Sequence, residues 1–144
     1  MNLFDTIPYI QLPFHSQLVK DYLSGNPKLT EFYQNPPTLA GLKEAAKNRK
    51  FDTSNRTVLH QALQKQYVGL EIGSAVSENI TQLKQSNTFT ITTGHQLCAY
   101  GGPAYFIYKI ASVINVSKQL NAANSGAHHV PVFWMASEDH DFEE

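Results

Sequence analysis

The sequence predicts an α/β fold: helices through about residue 86, then a strand, helix, strand unit over residues 87–144. Three observations carry this expectation. Apolar residues recur at spacings of three and four through the first part, as on one helix face. Between Lys84 and Lys118 the sole charged side chain is Lys109, which marks a deeply buried stretch. Two short β-rich runs then flank a long apolar helical pattern.

The elements follow in order. Phe14, Leu18 and Tyr22 form the first stripe, and Asn26-Pro27 opens a short piece carrying Leu29, Phe32 and Tyr33. Asn35-Pro36-Pro37 closes that piece, and Thr38 is placed as the N-cap of a helix through Leu39, Leu42 and Ala46. Thr53 or Ser54 is expected to cap the next helix, with Leu59, Leu63, Tyr67 and Leu70 on one face. After Gly73, Val76, Ile80 and Leu83 repeat the spacing. Phe89-Thr90-Ile91-Thr92 reads as a strand that runs into a turn-like tetrad, Thr93-Gly94-His95-Gln96. Gly101-Gly102-Pro103 precedes a helix bearing Phe106, Ile107, Ile110, Val113, Ile114 and Leu120, with Pro103 in its first turn. Val130 to Met135 is a second buried strand, with Pro131 near its start.

Composition narrows the function classes. Twelve acids against eleven bases give a net charge of −1, which is no polycation for nucleic acid. Hydrophobic residues at 42% and charged ones at 16% exclude a disordered segment. The single cysteine, Cys98, rules out an internal disulfide or a multi-cysteine zinc site, and a reducing, cytoplasmic location is expected. No basic leader precedes an apolar run, and no stretch reaches the roughly 18 apolar residues of a membrane span. Five of the twelve acids fall in residues 138–144, leaving seven acids against eleven bases before them.

A strand, helix, strand unit of this length makes parallel strands whose polar ends meet at one sheet edge, where α/β folds bind ligands. That edge is expected to collect Thr93-Gly94-His95-Gln96 and Ser137-Glu138-Asp139-His140-Asp141. Gly94 permits a tight turn, and the helix start after Gly102 favours an anion such as a nucleotide phosphate. The three-glycine dinucleotide fingerprint and the Gly-Lys-Ser/Thr loop are both absent. Lys109, inside an uncharged helix, must pair with a carboxylate or reach the surface, and Tyr105 lies one turn before it. Glu138, Asp139, His140 and Asp141 set three carboxylates and an imidazole in four residues, suited to acid/base work, hydroxyl recognition or a divalent cation. Their spacing matches no zincin or EF-hand, so no metal ion is expected. His15, His60, His128 and His129 receive no role, and Cys98 reads as a small buried thiol.

Together, Thr93-Gly94-His95-Gln96, Gly101-Gly102-Pro103, Tyr105, Lys109-Ile110 and the run from Pro131 through Trp134 and Glu138-Asp139-His140-Asp141 to Glu144 resemble the N-terminal part of the bacillithiol synthase family. The resemblance covers essentially all of the chain. It implies a cytoplasmic ligase that joins L-cysteine to the glucosamine of glucosaminyl-malate. It also implies a Rossmann-like core related to nucleotidylyltransferases and class I aminoacyl-tRNA synthetases, with a coiled-coil arm and a homodimer in the full-length family. Family members are several times longer, so the present chain is expected to hold only the start of the sheet and to be inactive alone. By that analogy Thr93, Gly94, His95, Gln96, Gly101, Gly102 and Lys109 bind a cofactor, ATP or ADP. His95, Asp139, His140 and Asp141 serve catalysis, and Tyr105, Trp134 and Glu138 contact substrate. Two other readings stand beside it: a stand-alone helical interaction module, and a metal-dependent hydrolase built on Glu138, Asp139, His140 and Asp141.

Overall fold

The structure, a computed structural model, describes residues 7–98, 100, 102–123 and 126–137. The chain divides into two compact units, Met1–Asn48 and Arg49–Glu144, so the helical first part is shared between them. In the first unit a single 3-10 turn, Tyr9–Gln11, precedes α1, Gln17–Ser24. The Ser16 hydroxyl accepts from the Val19 amide at 3.4 Å, and Asn26 Oδ1 accepts from Lys28 to begin the turn Pro27–Leu29. Thr38 caps α2, Leu39–Asn48, as expected: its Oγ1 accepts from the Gly41 amide at 3.1 Å.

The second unit opens with α3, Thr53–Gln66, whose cap is Asp52 rather than Thr53 or Ser54. One Asp52 oxygen accepts from both the amide and the hydroxyl of Ser54 at 2.8 Å. Those bonds favour the charged form and hold the Asp52 carboxyl below its ordinary value. A carboxylate beats a hydroxyl here because it also answers the positive end of the helix dipole.

The expected Leu59, Leu63, Tyr67, Leu70 face is not the buried one. The helix ends at Gln66, Leu70 is exposed, and the buried side chains are Arg56 and His60. Arg56 donates to the carbonyls of Leu83 at 3.2 Å, Thr88 at 2.9 Å and Ser86 at 3.3 Å, and its guanidinium lies over the Phe51 ring. A guanidinium carries five fixed donors, so it can gather several carbonyls where no apolar side chain could satisfy them. This ties α3 to the end of α4, Ser74–Gln82, and to the first strand; Ile80 and Leu83 are buried there as expected, while Val76 is exposed.

Strand β1 runs Thr88–Gln96, α5 runs Ala104–Ala122 and β2 runs His128–Ala136. The two strands pair in parallel, from Thr88 opposite His128 to Gln96 opposite Ala136. The tetrad Thr93 to Gln96 is therefore the last part of β1 and not a turn. β2 continues alongside it and answers its backbone polar groups, so the chain has no reason to bend before Gln96. Pro103 sits at the N-cap of α5, one place before the first turn. The helix lies on the sheet through Val113, Ser117 and Leu120, and Phe106 meets Phe133 edge-on at 4.8 Å. At its far end Asn121 donates to the His129 carbonyl at 2.9 Å and accepts from the His129 amide at 2.7 Å. The architecture is α/β with an incomplete, two-stranded parallel sheet.

Candidate functional site

The carboxyl ends of β1 and β2 and the first two turns of α5 enclose a depression of about 460 Å³. Gly94, His95, Gln96, Tyr105, Lys109, Trp134 and Ala136 line it. Strand alternation and the α5 contact place the His95 ring beside the helix, at 5.1 Å from the Tyr105 ring and 5.9 Å from that of Phe106. His95 Nε2 lies 2.7 Å from the Tyr105 hydroxyl, and Nδ1 lies 2.9 Å from the Gln96 carbonyl and 3.3 Å from Cys98 Sγ.

Among the described residues no carboxylate pairs with Lys109, which is half-buried and reaches the open depression. Its ammonium donates to the Gly94 carbonyl at 3.2 Å and sits 5.3 Å from the Tyr105 ring centroid. A backbone carbonyl and an aromatic face are its partners among the described residues. An ammonium has three donors, and Gly94 takes one of them.

Two glycines are needed for close approach rather than for a turn in the tetrad. A Cβ on Gly94 would stand 2.9 Å from the Trp134 carbonyl oxygen, so a side chain there would push the strands apart at the depression. Gly102 has φ +67°, and a Cβ on it would meet Cys98 Cβ at 2.7 Å. The thiol of Cys98, which also reaches the Gln96 carbonyl at 3.6 Å, thus packs against the entry to α5.

Gly94, His95, Gln96, Tyr105, Lys109 and Trp134 are therefore brought together as the sequence suggested. Thr93 belongs to the same strand but is outside the lining of the depression, and Gly102 acts through Cys98. Gly101, Glu138, Asp139, His140 and Asp141 lie outside the described residues. Among the described residues no three of His, Cys, Asp and Glu gather as metal ligands, and no helix is long and apolar enough to cross a membrane. Sequence reasoning gave Cys98 no part in the site. The signal was its place three residues after His95, close enough in sequence for Sγ to reach Nδ1 at 3.3 Å just past the strand end.

A family profile described as "Bacillithiol biosynthesis BshC, N-terminal Rossmann-like domain" matches residues 6–144. The chain belongs to this family. A Flavobacterium johnsoniae protein named "Putative cysteine ligase BshC" is 46% identical over 142 residues, covering 97% of this chain and 27% of the relative. A Flavobacterium psychrophilum protein of the same name is 44% identical over 143 residues, with the same two coverages. One from Bacillus cytotoxicus is 32% identical over 142 residues, covering 96% of the chain and 25% of the relative. The chain thus spans about a quarter of the length of the curated relatives it matches. The expected family and the N-terminal placement of the resemblance both hold.

Proposed function

We propose that the chain is the N-terminal part of a cytoplasmic ligase that joins the carboxyl group of L-cysteine to the amine of glucosaminyl-malate. The observation that carries the reading is the meeting of His95, Tyr105 and Lys109 in one depression at the carboxyl ends of parallel strands, the position at which α/β sheets bind ligands. Relatives that bear the cysteine ligase name support the same reading.

The donor set suits a polyanion. Lys109 offers an ammonium, Gln96 an amide, and the first turn of α5 carries no side-chain cap. ATP or ADP is the proposed cofactor, and ATP would supply the free energy that makes a carboxyl group a better acylating agent. In this assignment Lys109 and the first amides of α5 face phosphate, with His95 held beside them by Gln96 and Tyr105. Trp134 and Tyr105 present rings to the substrate. Glu138, Asp139, His140 and Asp141, which follow β2 directly in sequence, recognise hydroxyl or amine groups and move protons. Catalysis belongs to the full-length protein acting as a homodimer, and the chain alone is inactive.

Calorimetric titration with ATP and with ADP tests the reading, on this chain and on the full-length protein, each first shown to be folded. Binding that Lys109→Met weakens about tenfold is the expected result in the full-length protein. Absence of nucleotide binding by either would overturn the nucleotide-dependent mechanism.

A further inference from the structure

Both ring nitrogens of His95 are engaged, and their partners determine which one carries the proton. The Gln96 carbonyl oxygen, 2.9 Å from Nδ1, can only accept. A bare Nδ1 would face it lone pair to lone pair, and the Cys98 thiol, 3.3 Å from Nδ1, has its own acceptor in the same carbonyl at 3.6 Å, so Nδ1 holds the hydrogen and donates. Nε2 of the neutral ring is then an acceptor, and the Tyr105 hydroxyl 2.7 Å away donates to it. That leaves the phenol oxygen with lone pairs to offer, on a side chain that is 50% exposed and lines the depression. The Lys109 ammonium, 5.3 Å from the Tyr105 ring centroid, lines the same depression.

We propose that Tyr105 is a catalytic residue that takes a proton from the amine substrate, with His95 as the positioning residue that receives Tyr105's own proton. The inference rests on the ligase reading and deepens it. An amine attacks a carboxyl group only as its free base, so an ammonium must first lose a proton. One ammonium N–H bond breaks and its proton joins the Tyr105 oxygen, while the nitrogen keeps the electron pair. In the same movement the phenol O–H proton passes to Nε2 and the imidazole becomes imidazolium. One proton has moved from ammonium to imidazole, with no oxidant, reductant or further reactant.

The groups that face this pair among the described residues are Cys98 from the loop after β1 and Lys109 from α5; no carboxylate lines the depression there. The imidazolium returns its proton to solvent before the next turnover.

The test has two arms. Histidine-selective ¹⁵N labelling of the protein, above the titration of the ring, reads the tautomer: a protonated Nδ1 at His95 is expected, with Nε2–H growing in once Tyr105→Phe removes its donor. A protonated Nε2 in the unaltered protein overturns the relay whatever the reaction is. In the full-length protein, amide formation from cysteine, glucosaminyl-malate and ATP should fall about 100-fold in kcat with Tyr105→Phe, at nearly constant KM. His95→Gln, whose amide oxygen can still accept from the phenol but cannot take up a proton, should lose a similar factor. The double variant should be no worse than either, because the two residues act as one unit. Independent, multiplying losses, or full kcat in Tyr105→Phe, overturn the relay while leaving the ligase reading standing. No amide from the unaltered full-length protein overturns the ligase reading, and the amine as the relay's substrate with it.

Discussion

The two ends of the β1–β2 pair both hold polar side chains against the sheet, yet they are satisfied in different ways. At the amino end Arg56 gathers three backbone carbonyls, Asn121 brackets the backbone of His129, and Asn87 donates to the Gly126 carbonyl. At the carboxyl end His95 meets Tyr105 and Cys98, and Lys109 lies beside the Tyr105 ring, all around a depression. Buried polar groups at the amino end lock elements in place, whereas at the carboxyl end the backbone bonds of Lys109 to Gly94 and of His95 to Gln96 border a depression open to a ligand. Side chains that answer one another at an open edge can exchange partners with an incoming molecule. The first arrangement builds the frame, and the second is the place for chemistry.

Substitutions sharpen this contrast, because stability should depend on the amino end and ligand binding on the carboxyl end. The largest loss is expected for Arg56→Ala, which strands three carbonyls in a buried setting: about 4 kcal/mol, read from the urea midpoint of unfolding. A loss under about 1 kcal/mol would break the contrast. Asn121→Ala should cost about 2 kcal/mol by the same measurement, since it leaves both backbone groups of His129 without that partner.

Lys109→Met should invert the pattern. Stability is expected to change by less than about 1 kcal/mol, whereas calorimetric affinity for ATP should drop about tenfold through loss of a single charged contact. An equal loss in both measurements would make Lys109 part of the frame.

The smallest effect belongs to the Asp52 cap. Its carboxyl is held below the ordinary value by the amide and hydroxyl of Ser54, so its contribution is full above the unfolded carboxylate value near ~4 and is lost as pH falls through the lower folded value. Thermal melts of the wild type and Asp52→Ala should therefore differ slightly at pH 6 and converge as acid protonates the folded Asp52 carboxylate.

Much of the frame is legible from sequence, and the misreadings share one cause. Thr38 was readable as a cap because capping is settled within four residues. Ile80, Leu83, Val113 and Leu120 were readable as core because their spacing places them on one helix face. Arg56 was not, since periodicity ranks an arginine as a surface residue and says nothing of three carbonyls about 30 positions away. The tetrad at Thr93 to Gln96 was misread as a turn for the same reason. Its composition is that of a turn, but its partner for extended pairing lies forty residues downstream in β2.

For the site, sequence alone named Gly94, His95, Gln96, Tyr105, Lys109 and Trp134, because polar residues are conspicuous beside apolar runs and because the motif resembles a known family. It also determined the order strand, helix, strand, which is enough to bring the carboxyl ends of both strands to one edge. Tertiary structure alone decided how those residues answer one another: which nitrogen of His95 faces a carbonyl, which carbonyl the Lys109 ammonium reaches, and that Cys98 touches the imidazole. The division follows from range. Helix faces and caps are set by neighbours a turn away, whereas hydrogen-bond partners across a sheet edge exist only after the distant strand has docked.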